Sequence, residues 1–385
     1  MIKELTLNLP STVEFGAGKL TTLMNHLNGI KRVFFLIDAP VKDKVLPVIE
    51  ELERQGIQIL ISTDVVPEPP IYALENLFAP VKEFAPECVV GIGGGSAIDL
   101  AKLVAVLFDG KQSVADVIGI GNVACRNVKL IAVSTTSGTG SEVTPIAVLT
   151  DTEMKLKKGV VSRYLVPDVA IIDPLLTLSL PAAVTAATGM DALTHCLEAY
   201  TNRNAHPIVD NLALEGIRLI AFNMEKCVTD GTDIEARTAL ALGSFYGGLC
   251  LGPVNTAAVH ALAYPLGGEF KISHGVSNSV LLPFVMQFNL SKCIEKYAVV
   301  AKILGVEKES QENSAKAAIH RIREISDKCG IPGSLKDLGL KESDVETLSQ
   351  GAIKVTRLLQ NNPREITIDD ARFIFSNAYK GIIER

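Results

Sequence analysis

The chain carries only six histidines, at 26, 195, 206, 260, 274 and 320. Three of them fall in or beside the least charged stretches of its second half. In Gly189-Met190-Asp191-Ala192-Leu193-Thr194-His195, Asp191 and His195 stand four residues apart, so a helix would put both on one face. Side chains at that spacing project about 6 Å apart and can share one ion. His260 sits inside a long uncharged run, and His274-Gly275 follows it. One carboxylate and three neutral imidazoles suit a divalent transition ion such as Fe(II), Zn(II), Co(II) or Ni(II). Four protein ligands leave one or two positions open on an ion able to go beyond tetrahedral coordination. Each piece also has an ordinary explanation: a core histidine at 260, an intrahelical ion pair at 191 and 195, a helix cap at 274.

Two glycine-rich turns and an aspartate add a second kind of chemistry. Gly91-Ile92-Gly93-Gly94-Gly95-Ser96 follows a strand-like run and opens a helix-like one. Glycines there let the backbone approach a phosphate, and a new helix points unpaired N–H groups at it. The GxGxxG pattern fails at Ser96, and no GK[ST] follows. Ser134-Thr135-Thr136-Ser137-Gly138-Thr139-Gly140-Ser141-Glu142 could line the same crevice or simply cap a helix. Asp38 ends the run VFFLID, where a carboxylate can take both ribose hydroxyls and repel a 2′-phosphate. Together the three features point to a dinucleotide, NAD over NADP.

These residues need elements to hold them. KRVFFLID (31–38), IQILIST (57–63), CVVGIGGG (88–95), VKLIAVSTT (128–136) and VAIIDP (169–174) are short apolar runs with β-branched residues, as in buried parallel strands. Helical stretches such as 42–56 and 96–108 lie between them. The alternation predicts a doubly wound α/β domain whose ligands sit at the carboxyl ends of the strands. After Leu180-Pro181 the strand signal fades. Residues 313–330 place Ala315, Ile319, Ile322 and Ile325 at helical spacing, and Ser343 and Thr367 look like helix starts. An all-helical second domain, with a boundary near residue 180, is therefore expected.

Composition narrows the function classes. The chain has 385 residues, 48% hydrophobic and 21% charged, with a net charge of −6, long enough for two domains. Without a Lys/Arg block, nothing favours nucleic acid or an anionic membrane surface. The uncharged run from Thr238 to Gly268 is long enough to span a bilayer, but its glycines, Pro253, Asn255 and His260 favour two buried helices. Seven scattered cysteines without CxxC spacing, and no signal-like N-terminus, lead us to expect a reduced, cytoplasmic protein.

GGGSAIDLAK (93–102), STTSGTGSEVT (134–144), GMDALTHCLEAY (189–200) and VHALAYPLGG with the following HG (259–275) together resemble the iron-containing (group III) alcohol dehydrogenases. Their order and spacing run from about residue 10 to the NPREIT segment (362–367). The resemblance implies a Rossmann-like, parallel-sheet α/β domain (1–180) and an all-α domain (181–385) in a dehydroquinate synthase-like architecture. It implies that Asp191, His195, His260 and His274 bind a catalytic Fe(II), a position that Zn(II) or another divalent ion would also accept. Gly94, Gly95, Ser96 and Asp99 would flank the NAD pyrophosphate. Thr135, Thr136, Thr139, Thr144 and Lys157 would line the cofactor crevice, with Leu176 and Leu180 against the base or ribose. Asp38 matches the position whose carboxylate accompanies NAD preference.

Two positions depart from the family pattern. Tyr264 stands where many members carry a histidine assigned to proton relay, and becomes the candidate relay here. Glu68 replaces a common asparagine. The implied activity is reversible hydride transfer between a small alcohol and its aldehyde or ketone, in a homo-oligomer of two or more chains. Small residues at Gly252, Pro253 and Asn255 hint at a short substrate. Sugar-phosphate cyclases of the dehydroquinate-synthase type resemble the same architecture and also use NAD with a metal. They would need a Lys/Arg cluster that 238–268 does not supply. A non-catalytic metal- or nucleotide-binding relative is the other alternative.

Overall fold

The computed structural model describes residues 3–153 and 156–383. It divides into two compact units, one running from Leu7 to Ser179, the other from Leu180 onward together with the residues up to Thr6.

Among its described residues the first unit holds nine strands: β1 (Thr12–Phe15), β2 (Arg32–Ile37), β3 (Gln58–Ser62), β4 (Cys88–Gly93), β5 (Gly119–Ile120), β6 (Lys129–Ser134), β7 (Ile146–Asp151), β8 (Leu156–Val161) and β9 (Val169–Ile172). Helices α1 (Leu23–His26), α2 (Lys42–Arg54), α3 (Ile71–Phe84), α4 (Gly95–Leu107) and α5 (Val114–Val117) intervene. Six strands form a sheet in the order β1-β9-β6-β4-β2-β3, every pairing parallel. In β2, Val33, Phe35 and Ile37 enter one apolar layer with Val45, Ile49 and Leu52 of α2. Phe34 and Leu36 enter the opposite layer with Leu74 and Leu77 of α3 and Leu100 and Val104 of α4. Strands covered on both faces must be apolar throughout, which is why these runs lack polar alternation. A Cβ at Gly91 would lie 2.6 Å from the Cβ of Ala101, so this glycine lets α4 lie close on β4.

A second, three-stranded sheet in the order β5-β8-β7 was not expected. Its β7–β8 pair is antiparallel. β8 (LKKGVV) is mixed in composition and almost wholly half-buried, and β5 has only two residues, so neither carries a strand signal. The four apolar residues that open β7 (IAVLTD) are a run too short to tell strand from helix by pattern alone.

The second unit is helical, as expected: α6 (Ala182–Thr201), α7 (Pro207–Thr229), α8 (Ile234–Val254), α9 (Ala258–Phe270), α10 (His274–Ile303), α11 (Gln311–Lys328), α12 (Asp344–Ala352), α13 (Thr356–Leu359) and α14 (Ile368–Lys380). Ala315, Ile319, Ile322 and Ile325 of α11 are buried. Thr367 and Asp370 form a reciprocal capping box at the start of α14, whereas Ser343 precedes α12 without a side-chain cap. The uncharged run divides between α8 and α9. Among the described residues no helix is long and apolar enough to cross a membrane. Its glycines instead allow close helix packing: a Cβ at Gly243 would meet Ile220 Cγ1 of α7 at 2.6 Å, and one at Gly247 would meet the Cβ of His195 at 3.4 Å.

Candidate metal centre and nucleotide loops

Helix α6 puts Asp191 and His195 one turn apart, α9 supplies His260, and His274 opens α10. Their ligating atoms converge. Asp191 Oδ1 lies 3.7 Å from His195 Nε2, 3.6 Å from His260 Nε2 and 3.8 Å from His274 Nε2. The rings of His195 and His260 stack at 4.8 Å, and that of His274 meets His260 edge-on at 5.2 Å. The side chains of Asp191, His195 and His260 are at most 5% exposed, while that of His274 is 26% exposed, so the cluster opens on the His274 side. Burial pushes the Asp191 carboxyl upward, but the imidazoles of His195, His274 and His260 overcome this and hold it well below the usual range. Burial disfavours charge on His260, yet Glu198 and Asp191 raise its pKa to about 9.

The geometry fits a divalent cation. Donors 2.0–2.1 Å from a tetrahedral ion stand about 3.4 Å apart, close to the 3.6–3.8 Å that separate Asp191 Oδ1 from the three imidazole nitrogens. The ligating atoms of Asp191, His195 and His260 all lie within 4.8 Å of one another. Asn278 Nδ2 donates to Asp191 Oδ1 at 2.7 Å and also lies 3.1 Å from His260 Nε2 and 3.2 Å from His274 Nε2. One amide nitrogen thus touches a carboxylate oxygen and two ring nitrogens, and the buried Asn278 Oδ1 has no hydrogen-bond partner among the described residues. A carboxylate oxygen and imidazole nitrogens packed this closely around an amide are a donor set that suits a metal ion.

Two residues of this cluster escaped the sequence reading. Asn278 stands one turn after His274 on α10. Glu198 stands one turn after His195 on α6, and its Oε2 lies 2.6 Å from His260 Nδ1. The i+3 and i+4 spacings carried that signal, but only once a first ligand was chosen. Tyr264, one turn after His260, is half-buried with its ring 6.5 Å from that of His274.

The nucleotide loops assemble within the other unit. Since β2, β4 and β6 are parallel neighbours, their carboxyl ends bring together Asp38, Gly94 and the 134–140 turn. Gly94 N–H donates to Asp38 Oδ2 at 3.1 Å. Burial raises the Asp38 pKa, with the Gly94 N–H opposing it. A Cβ at Gly95 would lie 2.7 Å from Thr139 Cγ2, and one at Gly94 would lie 3.3 Å from Thr136 Cγ2. The two turns therefore touch: Gly95 has no room for a side chain, and at Gly94 one would fit only if Thr136 shifted slightly. Ser96 Oγ accepts the Glu68 N–H at 3.2 Å, and the Glu68 carboxylate lies 3.3 Å from Lys157 Nζ.

Other residues expected to face the cofactor lie deeper. Asp99 is buried and accepts the Val148 N–H at 2.9 Å. Thr144, also buried, accepts the fully buried Lys102 through both its carbonyl (2.8 Å) and its hydroxyl (3.0 Å). Thr135 is buried with its N–H on Gly93 O, and Leu176 is buried in the layer under β9. Leu180 begins the helical unit, its carbonyl accepting from Arg237 at 3.5 Å.

The chain matches the family model for iron-containing alcohol dehydrogenase over residues 10–174. It matches the model for the C-terminal part of the Fe-containing alcohol dehydrogenase family over 185–379. Long-chain-alcohol dehydrogenase 1 of Geobacillus thermodenitrificans is 40% identical, with 97% of this chain and 96% of the relative covered. The NAD-dependent methanol dehydrogenase of Bacillus methanolicus is 34% identical over 96% and 98%. A crystal structure of 1,3-propanediol oxidoreductase superposes with a TM-score of 0.93 at 35% identity, covering 98% of this chain and all of that one. Matches of this extent on both units, around a carboxylate–histidine cluster, mean that the chain belongs to the iron-containing alcohol dehydrogenase family and is a metal-dependent enzyme interconverting alcohols and carbonyl compounds.

Proposed function

We propose that the enzyme transfers hydride between a short-chain alcohol and NAD, with Fe(II) held by Asp191, His195, His260 and His274. The observation that carries this reading is the convergence of three imidazole nitrogens on one buried carboxylate oxygen. Such an ion lowers the pKa of an alcohol or polarises a carbonyl when bound. Zn(II) would accept the same donors. Asp38 would take the ribose hydroxyls, and the N–H groups opening α4 at Gly94, Gly95 and Ser96 would face the pyrophosphate. Tyr264, beside His274 on the more open side of the cluster, is the residue we assign to proton passage.

The short-chain assignment draws on relatives named for methanol and 1,3-propanediol and on the small residues at 252–255. The relative named for long-chain alcohols makes the opposite case. We also assign the enzyme to the cytoplasm as a homo-oligomer. The experiment is metal analysis of freshly purified protein, followed by NADH-linked turnover across alcohols and aldehydes of increasing length. About one equivalent of iron with turnover on short substrates is expected. Net NADH change on none of them would overturn the dehydrogenase reading and favour a cyclase that regenerates its cofactor. Activity confined to long chains would overturn the substrate assignment alone.

A further inference from the structure

We propose that Glu198 is a positioning residue for the metal ligands, tying the helix that bears Asp191 and His195 to the helix that bears His260 and fixing which ring nitrogen of His260 faces the site. The inference rests on the ligand assignment proposed above and concerns a residue outside that set.

Positions 191, 195 and 198 repeat at four and three residues, so Asp191, His195 and Glu198 share one face of α6. The Glu198 side chain is only 5% exposed. Burying a carboxylate costs heavily unless donors surround it, and here three do. Its Oε1 accepts the Val259 N–H at 2.6 Å, and its Oε2 accepts the Ala257 N–H at 2.9 Å and the His260 Nδ1–H at 2.6 Å.

Two of those donors belong to the start of α9. The first N–H groups of a helix have no intrahelical partner, and the N-cap residue, Ala257, offers no side-chain acceptor. Glu198 therefore caps α9 from a neighbouring helix, with its negative charge at the favourable end of the helix dipole. The link into α9 is irregular, with Asn255 at φ 63°. Asn202, just beyond the end of α6, holds that link by donating to the carbonyls of Val254 (2.9 Å) and Asn255 (3.1 Å). The end of α6 thus clamps the start of α9 at two points.

The third donor sets the chemistry. With the Nδ1 hydrogen directed at Glu198, Nε2 is the nitrogen of His260 turned toward Asp191, 3.6 Å away, and is the one left to bind metal once its proton is displaced. Carboxylate partners of this kind fix the tautomer and ring orientation of metal-ligating histidines. An amide cannot reproduce the arrangement, because whichever way it turns, its NH₂ meets an N–H.

The test compares the full chain with its Glu198→Gln and Glu198→Ala variants. Each protein is stripped of metal and titrated with Co(II) against a competing chelator, recording the visible d–d band, and its unfolding by urea is followed metal-free. Wild type is expected to bind one Co(II) tightly. Both variants are expected to fold but to bind it about 10- to 100-fold more weakly, with an altered d–d band. Wild-type affinity and band in either folded variant would overturn the proposal. Failure of both variants to fold without metal would also overturn it, by making Glu198 a structural cap alone. Failure of the wild type to bind Co(II) would instead refute the ligand assignment.

Discussion

Gly275→Ala places one methyl group next to His274, one of the four proposed metal ligands. Gly275 follows His274 in the first turn of α10, and a Cβ there would lie 2.7 Å from the carbonyl carbon of Ala187 in α6 and closer still to its oxygen. Ordinary contacts of this kind begin near 3.4 Å, so the start of α10 must back away from α6 by roughly 0.7 Å or more, an overpacking cost of about 1–3 kcal/mol. The movement separates His274 from Asp191, whose ligating atoms are 3.8 Å apart. Metal–ligand distances tolerate about 0.2 Å, so one of the four proposed ligands should be lost and affinity should fall at least about 10-fold. The assay is thermal unfolding of metal-free and metal-saturated protein beside a chelator competition. At fixed free metal, a 10-fold weaker site removes about 1.4 kcal/mol of ligand-linked stability. Wild-type affinity in Gly275→Ala would refute the reasoning. So would rescue by a second change, Ala187→Gly, since that removes only the Ala187 Cβ at 3.2 Å and leaves the backbone in place.

Other expectations follow from the same geometry. Lys102→Met should destabilise the strand-bearing unit by about 3–5 kcal/mol, because Thr144 and Ile146 lose their donor and the buried Asp99 its neighbouring cation; an unchanged denaturant midpoint would contradict this. His260, raised to about 9 by Glu198 and Asp191 against burial, contributes stability to the metal-free chain. That contribution is fully present below about pH 6.5 and is lost as pH rises through about 9. Metal must displace that proton, so affinity should climb with pH up to about 9 with proton release on loading, measured by titration in weak buffer. Asp38→Ser should raise the NADPH-to-NADH ratio of kcat/KM at least about 10-fold by removing the charge opposed to a 2′-phosphate. Tyr264→Phe should lower turnover at neutral pH while leaving metal content unchanged; full turnover would send the proton by another route.

The central strands β2, β4, β6 and β9 were legible because each is buried on both faces, and the resulting run of apolar residues marks them without reference to anything distant. β3, half-buried at one edge of the sheet, was legible through its unbroken Ile59-Leu60-Ile61 run. β1 was not, being four residues long at the sheet edge with half-buried side chains. β5, β7 and β8 were missed for a related reason: a small mixed sheet needs no strong internal pattern. The long helices declared themselves through spacing and caps, as at Thr367. At the metal centre the visible fragments were Asp191 with His195, since one helix holds both. His260 and His274 lie 65 and 79 positions beyond His195, and no local rule joins such residues. They entered as candidates only because they are the other histidines of the uncharged stretches, and the family resemblance is what implied that they are ligands.

Glu198 marks where local reading stopped short. Its spacing from His195 was available, but a glutamate on a helix is ordinarily a solvated charge. Only the fold shows that this one is buried against the start of α9. The same physics explains why the surrounding helices are rich in glycine and alanine. Close helix packing excludes water, and in that setting a carboxylate must be fully hydrogen-bonded or absent. A polar residue kept in so tight a region is therefore one whose donors the fold already supplies, and three of them converge on Glu198.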